Sequence, residues 1–440
     1  MIIGLTGPFG SGCSTIAKIL SDKIEYRKGQ KYGFEYIKIS DILKREARNQ
    51  GINIEKIEPR QRRKVLQDLG NNLRKEKGLG VLVQWAIAEA RQKDKNLIVI
   101  ESIKNPGELI ELKKYPNAYL MAIDAPYDVR WKRAKDVYKG DQQQFDIDDE
   151  RDRNEGIECG QNVQKCVDLA DIFITNEIDI KAEHGWEVFE RTKIVRFVKL
   201  IKEPGSDEPT TLELMMNNAY CTSLLSTCMK RQVGAVITVA EINNKNIYSE
   251  TKDQKIKPRE YLIATGYNAV PEGELCCEVN YKRCYREKIF RESLEKLKHC
   301  PVCGKKLSSY SNSCPKCKTE FEKLYPSKSL DLCRSLHAEE SAILQTARLG
   351  GISLAGATLY TTTFPCLLCA NKILAGGIAR VIWLEPYPDK NSMELLKRAD
   401  ERGAIELIEF EGVKAEAFYK LFNKNYINFE RRRQNEKKGV

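Results

Sequence analysis

Short apolar runs alternate with longer segments of helical periodicity along residues 1–201. Ile2–Thr6 is the first apolar run, and a helix is predicted to begin near Ser14. Further strands are predicted at Tyr36–Ile39, Leu97–Ile100, Ala118–Ile123 and Ile172–Thr175, and further helices at Pro59–Lys77, Leu79–Gln92, Pro106–Lys114 and Pro126–Tyr138. Strands that alternate with helices in this way favour a parallel sheet covered by helices. The pattern therefore predicts an α/β/α domain.

A polar stretch with two prolines and a glycine, residues 202–211, marks the expected linker. After it, strands are predicted at Gln232–Val239, Tyr261–Thr265, Thr358–Thr362, Arg380–Leu384 and Ile405–Phe410, and helices at Thr210–Cys228, from His337, from Cys366 and at Met393–Arg402. These elements predict a second α/β/α domain at residues 212–425. It carries a cysteine-bearing insert at about 274–330 and is followed by a basic tail at 426–440.

The composition fits globular domains. The chain has 440 residues, 42% hydrophobic and 31% charged, and its length is about three times the ~150-residue prior for one domain. No apolar run approaches the ~20 residues that a membrane-spanning helix needs. The N-terminus lacks the basic segment of a signal peptide. We therefore expect a cytoplasmic protein with no membrane partner.

Cysteine spacing directs attention to metal sites. The chain has 15 Cys and only 3 His, and a reducing cytoplasm disfavours disulfides. The cysteines are then either buried small side chains or metal ligands. C-x-x-C pairs occur at Cys300/Cys303, Cys314/Cys317 and Cys366/Cys369, which favours metal ligands at those positions.

The sequence His337-Ala338-Glu339, followed later by Pro365-Cys366-Leu367-Leu368-Cys369, is the most informative pattern. A catalytic Zn²⁺ takes three protein ligands and keeps one position for water, and His337, Cys366 and Cys369 supply an imidazole and two thiolates. Thiolates on a first helical turn are favoured by the positive helix end. Glu339 is then free to transfer protons, as in the H-x-E…P-C-x-x-C signature of zinc deaminases. The alternative is a buried histidine beside a structural cysteine pair.

Cys300-Pro301-Val302-Cys303 and Cys314-Pro315-Lys316-Cys317 have the spacing of a zinc ribbon. Four thiolates leave no open position for water, so this second Zn²⁺ is expected to be structural. Metal binding would then fold a segment that is too small to have a core of its own. Cys276, Cys277 and Cys284 lie nearby and are expected to be free thiols, with a role as an alternative ligand left open, and Cys333 has no role that the sequence reveals.

The region from Met215 to Phe410 resembles the deoxycytidylate deaminase branch of the cytidine deaminase superfamily. Besides the zinc motif, the resemblance rests on the stretches Arg231–Ile237 and Ala264–Asn268. It implies a mixed five-stranded sheet between helices. It also implies that Asn268 hydrogen-bonds the sugar or base of the substrate, that Thr362 lines the pocket and that the backbone at Ala338 reads the cytosine edge. For Asn268 the alternative is a purely structural turn.

The N-terminus carries a glycine-rich loop between a strand and a helix, as a P-loop does. Its candidate nucleotide-binding residues are Gly7, Gly10, Ser11, Gly12, Cys13, Ser14 and Thr15. Backbone amides of such a loop bind phosphates, and Ser14 is placed to bind Mg²⁺, so Mg²⁺ with ATP or GTP is the expected cofactor. The usual lysine is replaced by Cys13, which favours nucleotide binding over fast phosphoryl transfer.

Residues 1–201 resemble nucleoside monophosphate kinases. By that resemblance, Glu101 is a magnesium-linked carboxylate, and a phosphate-clamping lid contains Arg130, Arg133, Arg151 and Arg153. The alternative for these arginines is a solvated helix face. Because the loop lacks its lysine, we interpret this domain as a regulatory nucleotide-binding module rather than a working kinase.

The two domains together resemble the anti-phage dCTP deaminases of bacteria. The resemblance implies hydrolytic deamination of dCTP, dCMP or both to the deoxyuridine nucleotide plus ammonia, which depletes dCTP during phage replication. It further implies a homo-oligomer and control by a small RNA.

Two other functions stay open from the sequence. The first is a polynucleotide cytidine or adenosine deaminase, since the net charge of +11 and the ribbon would suit a polyanion. The basic tail would suit one too, or would be a solvated terminus. The second is a nucleotide-sensing switch whose deaminase activity is vestigial, although the intact His337, Glu339, Cys366 and Cys369 argue against it.

Overall fold

A computed structural model describes residues 1–22, 24–27, 30–177, 193–240, 260–307, 313–321, 332–350, 352–385 and 389–424. These residues form two compact units. The first contains Met1–Glu213 and the described chain from Phe410 onward, and the second contains Leu214–Glu409. The basic tail at 426–440 lies outside the described residues. Within those residues, no helix is long and apolar enough to cross a membrane.

The first unit is built around a six-stranded sheet. Its strands are β1 (Ile2–Thr6), β4 (Glu35–Lys38), β5 (Ile98–Glu101), β6 (Ala118–Asp124), β7 (Ile172–Thr175) and β13 (Gly412–Val413), in the order β13-β7-β6-β1-β5-β4. The five strands from β7 to β4 are parallel, and β13 joins antiparallel to β7. A separate hairpin pairs β2 (Ile24–Arg27) with β3 (Gln30–Tyr32). The central strands β6, β1 and β5 are almost fully buried, as expected for a sheet covered on both faces.

The helices of this unit are α1 (Cys13–Ser21), α2 (Ile39–Asn49), α3 (Pro59–Lys77), α4 (Val81–Gln92), α5 (Pro106–Lys113), α6 (Tyr127–Ala134), α7 (Gln142–Arg153), α8 (Val163–Asp168), α9 (Val195–Lys202) and α16 (Ala415–Phe422). α10 (Thr211–Ser223) begins here and continues into the second unit. Predicted and observed bounds agree closely where the apolar pattern is strong, as in α3. The pattern analysis did not identify α2, α7, α8, α9 or α16.

The second unit contains a mixed five-stranded sheet, as the resemblance implied. Its strands are β8 (Gly234–Ala240), β9 (Glu260–Tyr267), β10 (Thr358–Thr363), β11 (Arg380–Glu385) and β12 (Glu406–Glu409), in the order β12-β11-β10-β8-β9. β10, β11 and β12 are parallel, and β8 is antiparallel to both of its neighbours. The remaining helices are α11 (Cys277–Tyr281), α12 (Tyr285–Glu295), α13 (Ala338–Leu349), α14 (Leu367–Ala375) and α15 (Lys390–Glu401).

The chain after Phe410 returns to the first unit, which differs from the domain limit of residue 425 expected from sequence. Val413, Ala417 and Leu421 are buried in the same core as β7. Glu213, fully buried, accepts hydrogen bonds from the amide of Val413 at 2.9 Å and from Arg196 at 2.8 Å. Glu213 belongs to the start of α10 but lies far in sequence from its partner Val413 in β13, so the local pattern could not reveal this return.

Strand β9 lies directly against helix α13, which carries the candidate active-site residues. A side chain at Gly266 would collide with the carbonyl oxygen of Ala338 and the amide nitrogen of Ala342. The strand can approach the helix this closely only because residue 266 has no Cβ atom.

We predict that Gly266→Ala lowers the midpoint of thermal unfolding. The new methyl group meets backbone atoms that cannot yield, and such overpacking costs about 1–3 kcal/mol. The matched control is Gly70→Ala in α3, where the nearest atoms to a new Cβ lie at 3.6 Å and alanine favours the helix by about 0.5–1 kcal/mol. Equal stability of the two variants would contradict the close approach described above.

Candidate functional site

His337, Cys366 and Cys369 come together in the second unit. The Nδ1 atom of His337 lies 3.2 Å from the sulfur of Cys366 and 3.4 Å from that of Cys369. All three ligand atoms lie within 4.8 Å of one another. One imidazole and two thiols so close together fit three ligands of a tetrahedral Zn²⁺, with the fourth position open.

Two helix starts place these ligands. His337 is the N-cap of α13 and Cys366 is the N-cap of α14, with Cys369 on its first turn. Asp389 accepts a hydrogen bond from the amide of Leu367 at 3.1 Å, and the Ser392 hydroxyl donates to the carbonyl of Pro365 at 2.5 Å. The start of α15 therefore holds the start of α14 in place, and the positive end of α14 favours thiolate there.

Proton sharing within the cluster favours a thiolate at Cys366. Hydrogen bonds from Cys369 and then from His337 lower the pKa of Cys366 to about 4. The same shared proton raises the pKa of the Cys369 thiol. Hydrogen bonds to Cys333 and then to Cys366 raise the pKa of His337 to about 10. Cys333, which had no role from sequence, is therefore a direct neighbour of the candidate ligand His337.

Glu339 points into the same cluster. Its residue surface is 4% exposed, and the thiol of Cys369 lies 3.7 Å from its Oε2 atom. Burial raises the pKa of its carboxyl group to about 7. A carboxyl group with a pKa near neutrality accepts and returns protons readily at physiological pH. The next residue, Glu340, pairs with Lys372 at 2.7 Å, and its other oxygen accepts from the backbone amide of His337 at 3.4 Å.

The candidate substrate contacts are buried beside the cluster, but protein partners already engage them. The carboxamide oxygen of Asn268 accepts from the amide of Val233 at 2.8 Å, and its nitrogen donates to the carbonyl of Arg231 at 2.8 Å. The hydroxyl of Thr362 accepts from the amide of Gly234 at 3.1 Å. Ala338 is fully buried. Asn268 and Thr362 thus fix the chain around the start of β8.

The second cysteine cluster has the geometry of a closed metal site. Cys300, Cys303, Cys314 and Cys317 place their sulfur atoms within 4.8 Å of one another. In each C-P-x-C turn an amide donates back to the first cysteine carbonyl, from Gly304 to Cys300 and from Lys318 to Cys314, both at 2.9 Å. A hydrogen bond with Thr319 lowers the pKa of Cys317 to about 6. The four sulfurs fit the expected structural Zn²⁺.

The glycine-rich loop of the first unit joins β1 to α1. Gly12 has φ of 104°, and a side chain there would collide with the carboxamide of Asn176, so this position requires glycine. Ser14 donates to the Oε1 atom of Glu101 at 2.6 Å, which confirms that the loop and this carboxylate are adjacent. Burial raises the pKa of the Cys13 thiol to about 12. The residue in the lysine position is therefore neutral.

The four candidate lid arginines are bound to protein groups rather than forming a solvated helix face. Arg130 is 1% exposed and pairs with Asp149 at 2.6 Å. Arg133 donates to the carbonyls of Gly10 and Ser11 at 3.1 and 3.3 Å. Arg151 pairs with Glu155 and Asp68, and Arg153 pairs with Asp149. In this arrangement Arg130 and Arg133 donate to backbone carbonyls of the loop, while Arg151 and Arg153 pair with carboxylates outside it.

Lys38, a residue that the sequence analysis overlooked, also lies at this loop. Its ammonium nitrogen is 3.1 Å from the Ser14 hydroxyl and 3.1 Å from Oε1 of Glu101. Tyr36 donates to the other oxygen of the same carboxylate. The sequence contained one signal for Lys38, namely its position. It is a polar residue at the end of a strand, and the carboxyl end of that strand meets the glycine-rich loop.

Comparisons with known proteins agree with this geometry. Residues 209–385 match the family model for the cytidine and deoxycytidylate deaminase zinc-binding region, and residues 3–158 match a model for an AAA domain. Deoxycytidylate deaminase of Schizosaccharomyces pombe is 28% identical over 307 residues, which cover 68% of this chain and 74% of that protein. The solved dCMP deaminase of cyanophage S-TIM5, in complex with dCMP and dUMP, is 19% identical, covering 46% of this chain and 98% of that one, with a TM-score of 0.26.

Deoxycytidylate deaminase of Enterobacteria phage T4 is 33% identical over 175 residues, which cover 39% of this chain and 76% of the phage protein. The alignment therefore covers most of the length of the phage T4 deoxycytidylate deaminase. The chain belongs to the deoxycytidylate deaminase family of zinc-dependent hydrolytic deaminases, with an AAA/P-loop kinase-like domain at its N-terminus.

Proposed function

We propose that the second unit deaminates deoxycytidine nucleotides at the cluster formed by His337, Cys366 and Cys369, with Glu339 as the proton-transfer residue. The observation that carries this proposal is the burial of Glu339 beside the three candidate ligands. The overall reaction consumes one water molecule, replaces the 4-amino group of cytosine by oxygen and releases ammonia.

The three candidate ligands and Glu339 have different roles in the proposed reaction. A Zn²⁺ ion held by the three ligands supplies Lewis acidity, which lowers the pKa of water toward neutrality. Glu339 accepts the proton that the attacking water loses at C4 and delivers it to N3 of the ring. It then passes a second proton, from the new hydroxyl group, to the departing amino group. Glu339 accepts and releases a proton twice and therefore ends the cycle in the protonation state in which it began.

We further propose that the preferred substrates are dCTP, dCMP or both, and that turnover depletes dCTP in defence against phage. The deoxycytidylate deaminase relatives support the nucleotide class. The first unit, as a regulatory domain, would bind ATP or GTP with Mg²⁺ at the loop from Gly7 to Thr15. We propose a cytoplasmic homo-oligomer. The comparisons do not point to a small-RNA regulator, so the proposal does not include one.

A substrate panel tests the nucleotide class. Purified protein incubated with dCMP, dCTP, CTP and cytosine-containing single strands of DNA and RNA should release ammonia from the deoxycytidine mononucleotides and leave the strands unchanged. Turnover confined to the strands would instead identify a polynucleotide deaminase. No turnover on any substrate, with zinc bound, would favour a vestigial site.

Glu339→Gln should lower kcat by about 10²- to 10⁴-fold, because the amide cannot carry the proton. Zinc content should stay unchanged, since Glu339 is not a ligand. The matched control is Glu340→Gln, which removes the charge that pairs with Lys372 but keeps an oxygen to accept from the amide of His337, and it should retain most of the activity. Equal activity of Glu339→Gln and wild type would contradict the assignment of Glu339 as the proton-transfer residue.

The proposed role in phage defence has its own test. In phage-infected cells, only the active form of the protein should lower the dCTP pool.

Metal analysis should find about two zinc ions per chain, one in each cluster. Cys314→Ser should reduce the count to about one by removing the ribbon ion, whereas Cys366→Ser should reduce it to about one and also abolish turnover. A wild-type count near one would show that one of the clusters has been misread. Cys221→Ser, at an exposed cysteine outside both clusters, is the matched control and should keep both ions.

A further inference from the structure

The glycine-rich loop of the first unit lacks the positive charge that a P-loop usually carries. In G-x-x-x-x-G-K-S/T the lysine contacts the β- and γ-phosphates, whereas here Cys13 occupies that position. A thiol side chain cannot carry a positive charge. If this loop binds a nucleoside triphosphate, another group must balance the terminal phosphates.

The loop is otherwise arranged to receive an anion. The Ser11 carbonyl accepts from the Asn176 carboxamide at 2.7 Å and from Arg133 at 3.3 Å. A trans peptide is planar, so the amide of Gly12 points away from that carbonyl. Within the described part of the chain, the amides of Gly10, Gly12, Cys13 and Ser14 donate to no protein acceptor. Such converging amides form an anion-binding nest.

Lys38 places an ammonium group beside this nest from a different element. It is the last residue of β4, whose neighbour β5 ends in Glu101 and pairs in turn with β1. The carboxyl ends of these parallel strands meet at the edge of the sheet from which the loop begins. The Lys38 nitrogen lies 3.1 Å from the Ser14 hydroxyl, and its side chain is 31% exposed.

Other cations near the loop are committed to different partners. Arg130 is buried against Asp149, and Arg133 donates to loop carbonyls. Lys104 pairs with the buried carboxylate of Asp152 at 2.9 Å. Lys38 differs because its partners, Ser14 and Glu101, are themselves residues of the candidate phosphate site.

We propose that Lys38 supplies the cation that Cys13 cannot, so that a nucleoside triphosphate binds at this loop through a lysine of strand β4. This inference rests on the proposed nucleotide binding by the first unit. It makes Lys38 a binding residue, and it requires no phosphoryl transfer.

Calorimetric titration of the full-length protein with ATP and with GTP, in the presence of Mg²⁺, tests the proposal. Lys38→Met should weaken binding by about 10- to 100-fold, the loss expected for a charge-assisted contact. Lys44→Met is the matched control, because Lys44 pairs with Asp41 on the surface of α2, and it should bind as wild type does. The double variant Cys13→Lys, Lys38→Met returns the charge to its usual position and should recover binding.

The outcomes separate this inference from the proposal on which it rests. If the wild type binds neither nucleotide, nucleotide binding by the first unit fails and the role of Lys38 falls with it. If the wild type binds and Lys38→Met binds equally well, only the role of Lys38 is overturned. Loss without recovery in the double variant would show that Lys38 organises Ser14 and Glu101 rather than supplying charge, which also overturns it. Thermal unfolding without nucleotide identifies misfolded variants, for which Lys38→Gln is the replacement.

Discussion

The catalytic unit depends on the meeting of two helix starts. The imidazole of His337 and the sulfurs of Cys366 and Cys369 must lie within 4.8 Å of one another, although they come from different helices separated by strand β10. The mixed sheet achieves this because β9 lies directly against α13, which only a glycine at position 266 permits, while Asp389 and Ser392 fix the start of α14. A small shift of either helix would separate the three ligand atoms. The chemistry of this unit therefore depends on how its helices pack.

Two buried carboxylates, Glu213 and Glu339, differ in the hydrogen-bond partners that compensate their burial. Glu213 accepts hydrogen bonds from the guanidinium of Arg196 and from backbone amides, and its charge is therefore stabilised as a link between α10 and β13. Glu339 is buried as well, but apart from its own backbone amide its described contact is the thiol of Cys369. An ionised carboxylate is costly to bury without strong partners, and the pKa of Glu339 rises accordingly. A poorly compensated acid beside a metal-ligand cluster is the arrangement that proton transfer requires.

The sequence predicted most reliably those features whose residues are close together in the chain. C-x-x-C turns and the H-A-E triplet are local patterns, and they located both cysteine clusters and Glu339. Strands β1, β5, β6 and β7 of the first unit were predictable because each is a short, mostly apolar run. The contacts that position these features, from Asn176 to the loop at Ser11, from Asp389 to Leu367 and from Lys38 to Ser14, join distant residues of ordinary composition. No local pattern distinguishes such a residue from a surface one.

The zinc cluster and the glycine-rich loop differ in how strictly their chemistry fixes the residue type at each position. A metal ligand must supply a particular donor atom at bonding distance, so the zinc cluster retains its full set. Phosphate binding needs positive charge at roughly the right place, and an ammonium group from β4 can serve as well as one from α1. The Lys38 ammonium approaches the loop from the side of Ser14 and Glu101, at 3.1 Å from each. A cation held by two side chains of the loop region is fixed in position before any ligand arrives, so the proposed substitution of charge costs little rearrangement.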